Sequence, residues 1–96
     1  MKNAMMIDSK DNVCVAIEEI PKGSIAVYMR EGKEISLPVL EDITIYHKLA
    51  ARDIAKGEPV VKYGEHIGVA SCDIKAGEHV HVHNVEGRRE DLEAKE

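Results

Sequence analysis

Apolar and polar residues alternate in short runs along this chain, and a phrase written three times interrupts the runs. Residues 13–17, 35–40 and 43–50 carry the two-residue period of half-buried strands, with Ile43 and Ile45 facing one way and Thr44 and Tyr46 the other. Around them, Ala16-Ile17-Glu18-Glu19-Ile20-Pro21-Lys22-Gly23-Ser24 recurs as Ala50-Ala51-Arg52-Asp53-Ile54-Ala55-Lys56-Gly57-Glu58 and as Ala70-Ser71-Cys72-Asp73-Ile74-Lys75-Ala76-Gly77-Glu78. The shared pattern is Ala, two variable residues, an acid, Ile, two variable residues, Gly. Each copy predicts a strand ending near the acid, an Ile in the core, and a bend in which Gly takes positive φ. A second strand then starts, over 24–30, 58–63 and 78–84. Arg30-Glu31-Gly32-Lys33 predicts a hairpin turn, and Pro38 confines its strand to an edge or bend. The uneven spacing of the copies excludes a regular solenoid and predicts three corners of one folded-over, all-β domain.

Composition bounds the rest. A chain of 96 residues suits one small domain with one modest core, and it buries only about two-thirds of its unfolded surface. With no Phe and no Trp, that core is built from Val, Ile, Leu, Ala and Met around Tyr28, Tyr46 and Tyr63, and no deep pocket is expected. A net charge of −5 without a basic cluster or an aromatic platform excludes a nucleic-acid partner. No apolar stretch reaches the ~20 residues of a membrane span, and the start turns acidic at Asp8, too soon for a signal peptide. A cytoplasmic protein is expected. Cys14 and Cys72 each sit in an apolar run and read as buried, reduced thiols. The domain is expected over 1–85; the almost wholly charged 86–96 reads as a mobile tail or a segment that a partner orders.

One segment carries chemistry. In Gly77-Glu78-His79-Val80-His81-Val82-His83-Asn84, three imidazoles occupy alternate positions and would share one face of an extended strand, with Val80 and Val82 on the other. Imidazole titrates near neutral pH and ligates metals, so the row is either a site or the solvated side of a strand. Residues two apart on a strand lie roughly 6.6 Å apart, which leaves His79 and His83 about 13 Å apart and allows only neighbours to share an ion.

The stretch from Tyr46-His47-Lys48 through Asp53-Ile54-Ala55-Lys56-Gly57-Glu58 to Lys62-Tyr63-Gly64 and Gly68, followed by His79-Val80-His81-Val82-His83-Asn84, carries a family resemblance. Over residues 12–89 the chain resembles the SAF domain, a β-clip module, of altronate and galactarate dehydratases, and equally the small subunit of sulfolactate sulfo-lyase. The resemblance implies the small subunit of a lyase that removes water or sulfite from a hydroxy acid, inactive without a larger catalytic subunit. It further implies Fe2+ or Mn2+, shared with that subunit. His47 is then the proton-transfer residue and Lys48 the cation that anchors a carboxylate. His79, His81, His83 and Asn84 would face the substrate, with His81 and His83 as the metal pair. His66 is assigned a structural place, and Gly64 and Gly68 a backbone one. A homo-oligomer and a non-catalytic SAF module that binds an acidic sugar or docks a partner are the remaining alternatives. One departure stands out: the family's Gly-His-Lys reads Tyr46-His47-Lys48 here, and Tyr pays at positive φ a steric cost that Gly does not.

Overall fold

A computed structural model of the chain describes residues 2–87, and none of them is helical. The strands are β1 (Ala4–Met5), β2 (Val13–Ala16), β3 (Ile25–Arg30), β4 (Lys33–Pro38), β5 (Lys48–Ala50), β6 (Pro59–Lys62), β7 (Glu65–Ala70), β8 (His79–Val80) and β9 (Val85–Glu86). They form three antiparallel sheets, ordered β1-β2-β5-β8, β3-β4 and β6-β7-β9. No helix is long and apolar enough to cross a membrane among these residues.

The corners behave as the repeated phrase predicts. Gly23, Gly57 and Gly77 take φ of 91°, 89° and 91°, and Ile20, Ile54 and Ile74 are each buried to 1% exposure. At Gly77 the need for glycine is also steric, because an added Cβ would strike the Pro38 carbonyl. There is a fourth copy, Val39-Leu40-Glu41-Asp42-Ile43-Thr44-Ile45-Tyr46, with Val for Ala and Tyr for Gly. Its Tyr46 adopts φ 70°, so the bend survives the substitution.

The four corners pair two by two. Ile20 and Ile43 exchange backbone hydrogen bonds at 3.0 and 2.9 Å, and Ile54 and Ile74 do so at 2.8 Å in both directions. The residue in the Gly position donates to the first residue of its partner's phrase: Gly23 to Val39, Tyr46 to Ala16, Gly57 to Ala70 and Gly77 to Ala50. The acids complete the exchange. Asp42 accepts from the Lys22 amide, Asp73 from the Lys56 amide and Asp53 from the Ala76 amide, at 2.8, 2.9 and 2.9 Å, while Glu19 accepts from Ile45 at 3.4 Å. The phrase therefore has an acid before Ile because a bend otherwise leaves amides without partners, and each corner's carboxylate takes one from its twin.

Alternation splits the interior into two clusters rather than the single core expected. Cys14, Ala16 and Leu49 face one cluster with Ile20, Tyr28 and Ile43; Val13 and Ala50, of opposite parity, face the other with Ile54, Val60, Ile74 and Val80. The β2–β5 pair is the wall between them.

Elsewhere expectation and structure part in places. The expected strand over 43–50 is a bridge at Ile43, a turn at Ile45 and Tyr46, and then β5. Cys72 is exposed, since its variable position in the phrase lies outside the corner; Cys14 alone is buried. β4 pairs only with β3, an edge position that tolerates Pro38. Glu86 pairs with Val69 in β9; the expected tail from residue 88 on lies outside the described residues.

Candidate functional site

The expected strand over 78–84 stops after β8, because residues 81–84 turn back. Asn84 makes the turn. Its Oδ1 accepts the His81 amide at 2.9 Å, its Nδ2 donates to the His79 carbonyl at 2.8 Å, and its own amide donates to the His81 carbonyl at 3.1 Å. Asn84 is 5% exposed, and its side-chain amide is engaged by the backbone of the turn. Val82, expected in the core beside Val80, is carried to the tip of the turn and is 81% exposed.

Turning brings the rings together. Antiparallel pairing of Lys48 with Val80 and of Leu49 with His79 places His47, one residue before β5, across from His81, one residue after β8. The His47 and His81 rings stack with centroids 4.3 Å apart, His47 and His79 at 5.1 Å, and His79 and His81 at 5.4 Å. The His83 ring comes within 5.3 Å of that of His79, not the ~13 Å of an extended strand. His47 Nδ1 lies 2.9 Å from His79 Nε2. His47 itself is pinned through its carbonyl to the Ala16 amide and through its amide to Thr44. Glu41 accepts the His79 amide at 2.8 Å. Nothing in the sequence reading singled out Glu41, although it belongs to the fourth phrase and Asp42-Ile43 could have revealed it.

Electrostatics follow from crowding. Burial first, then the imidazoles of His47, His83 and His81, hold His79 below its ordinary 6.5, with Glu41 pulling the other way. For His81 the causes are burial, His47, Lys48 and His83, in that order, and the direction is the same. Lys48 alternates to the Val80 face, away from the stack. Burial and then Lys62 lower its pKa. Lys48 meets the histidines at His81, where both line an open groove of about 300 Å³ with Ile67, Val82 and Val85.

One ligand atom from each of His47, His79 and His81 lies within 4.8 Å of the other two. Three imidazoles are a donor set that suits Fe2+ better than Mn2+, which prefers oxygen. The group differs from the expected pair: His81 gathers with His47 and His79, and His83, though its ring lies beside that of His79, stands outside the group. His66 is exposed on β7, outside the cluster.

Residues 2–88 match the altronate/galactarate dehydratase SAF domain. The chain belongs to that family. It is 39% identical over 93 residues to altronate dehydratase of Bacillus subtilis, covering 97% of this chain and 18% of that one. Altronate dehydratase of Escherichia coli is 41% identical over 88 residues, covering 91% of this chain and 17% of its own. The chain thus spans less than a fifth of these two relatives. The (2R)-sulfolactate sulfo-lyase subunit alpha of Chromohalobacter salexigens is 40% identical over 85 residues, covering 85% of this chain and 90% of that subunit. As an SAF domain, this chain is related to components of lyases, and the subunit name of that relative denotes a multi-subunit enzyme.

Proposed function

We propose that the chain is the SAF component of a sugar-acid hydro-lyase of the altronate dehydratase type, working with a larger catalytic chain. The observation that carries the reading is the 2.9 Å contact between His47 Nδ1 and His79 Nε2. A docking module has no need to bring imidazoles from two separate segments into contact.

Loss of water from a hydroxy acid needs a base for the proton α to the carboxylate, a stabiliser for the charge that builds on that carboxylate, and an acid for the departing hydroxyl. In the His47–His79 contact one nitrogen must carry the proton and the other must accept it. With the proton on His47 Nδ1, His47 Nε2 is bare and acts as base; with it on His79, His47 Nε2–H donates. Taking up a proton at Nε2 leaves His47 cationic, and the neutral His79 beside it accepts the hydrogen bond from Nδ1–H. Lys48, across from His81 in the groove, attracts the substrate carboxylate. In the alternative state, with the shared proton gone, His47, His79 and His81 would hold the Fe2+ or Mn2+ that the family implies, and the ion would supply a Lewis acid for carboxylate charge. A groove of about 300 Å³ open to solvent offers one wall for a polyhydroxy acid, and on this reading the chain alone is inactive.

A second reading is the sulfo-lyase one, with sulfite as the leaving group. It is favoured by the match to 90% of a free-standing alpha subunit. Co-purification from native extract, mass identification of the bound chain, and assay of the complex on altronate and on sulfolactate separate the two. Water loss from altronate supports the first reading, sulfite release supports the second, and turnover of either by the purified chain alone refutes the subunit assignment.

A further inference from the structure

A cavity of about 570 Å³ lies at the other end of β5 from His47, bounded there by Ala51 and Arg52, and it shares no lining residue with the groove at Lys48 and His81. Its charge is uneven. Lys10, Arg30 and Arg52 line it against one acid, Asp11, and that carboxylate is already engaged by the Gly64 amide at 2.8 Å and the Asp8 amide at 3.0 Å. Arg52 is held by Glu58 at 3.1 Å. Arg30 has only long contacts, 3.3 and 3.4 Å, to the Ser9 carbonyl, and no ion pair among the described residues.

Tyr28 is the second observation. It is 3% exposed, lines the cavity, and its hydroxyl makes no hydrogen bond among the described residues. Yet no fully buried side-chain nitrogen or oxygen there lacks a partner, so the hydroxyl must reach the cavity. A buried tyrosine hydroxyl ordinarily finds an acceptor. Burial, then Cys14, push its pKa up against Arg30, which keeps it a donor.

We propose that this cavity is a second binding site, for a small organic carboxylate held by the Arg30 guanidinium and the Tyr28 hydroxyl. Two parallel N–H bonds from Arg30 suit a carboxylate, Lys10 and Arg52 add attraction at the rim, and Met6 and Ala51 accept the carbon skeleton. The site is independent of the lyase reading, since neither donor belongs to the histidine cluster.

Amide NMR of the full chain titrated with malate, with neutral erythritol as control, tests it. Malate should shift the Ser9, Lys10, Ala51 and Arg52 amides saturably and erythritol should not. Arg30→Gln should weaken binding ~10-fold or more, the scale of a charge-assisted pair, and Tyr28→Phe ~5-fold, while His47→Ala leaves it unchanged. Arg30 is exposed, so its variant keeps the fold and decides the matter even if Tyr28→Phe does not. Shifts confined to His79 and His81, no saturation, or unaltered binding by Arg30→Gln would overturn the assignment.

Discussion

His47 Nδ1 and His79 Nε2, from segments 32 residues apart, lie within hydrogen-bond distance, and the two rings therefore share one proton between them. Adding a second would set two N–H groups against each other. Burial and the neighbouring imidazoles hold the pKa of His79 and of His81 below the ordinary value.

Acid should therefore destabilise the domain early. His79 and His81 have folded pKa values below the ordinary 6.5, so the unfolded chain binds more protons than the folded one in that window. Stability is whole above about pH 6.5 and is lost as pH falls below it. The melting temperature should drop between pH 7 and pH 5, and His79→Ala should flatten the drop. Glu58, whose carboxyl is held below 4.5 by the Ala55 amide and Arg52, adds its own loss only at lower pH. A melting temperature that rises on acidification to pH 5 would contradict this account.

Asn84→Ala should loosen the cluster. It removes two part-buried bonds to the backbone of the turn and leaves the His81 amide and the His79 carbonyl unserved, at a cost of about 1–3 kcal/mol. Denaturant unfolding gives the loss, and ring NOEs between His47 and His81 should weaken. Intact NOEs with unchanged stability would show that the turn does not depend on Asn84.

Tyr46→Gly should stabilise. Tyr46 is 73% exposed and held at φ 70°, so little packing is lost. Relief of about 1–2 kcal/mol of left-handed strain exceeds the ~0.5–1 kcal/mol of extra glycine entropy. A net gain of roughly 0.5 kcal/mol is expected, and a loss of that size would mean that the Tyr ring contributes contacts of its own.

Mn2+, a paramagnetic probe of the three nitrogens, should broaden the ring signals of His47, His79 and His81 while sparing His66. His79→Ala should remove the effect, and binding should weaken below about pH 6.5 as protons compete for the same lone pairs. Equal broadening at His66 would mark adventitious binding.

Much of this was legible in the sequence, for physical reasons. The phrase acid-Ile-x-x-Gly marks a bend because its Gly must take positive φ and its Ile must be buried, and both hold at residues 20–23, 54–57 and 74–77. The fourth corner was hidden because Tyr46 occupies the glycine's place. The period of two in the histidine row predicts a strand face. A hydrogen-bonding Asn84 three residues after His81 overrides that period, because satisfying the backbone within a turn competes with continuing a ladder. That His47 belongs with the row came only from resemblance; the register of β5 against β8 gives the reason. Two clusters replaced one core because residues of opposite parity on β2 and β5 face opposite ways.

Turnover of the assembled lyase carrying His47→Ala or His81→Ala tests the central claim most directly. Each change should lower the rate by a factor on the order of 10² or more, the scale for losing a positioned acid, base or ligand. His66→Ala should leave it unchanged, and assembly should persist in all three. Full turnover by His81→Ala in an intact complex would show that the stacked imidazoles are a structural surface and not the site.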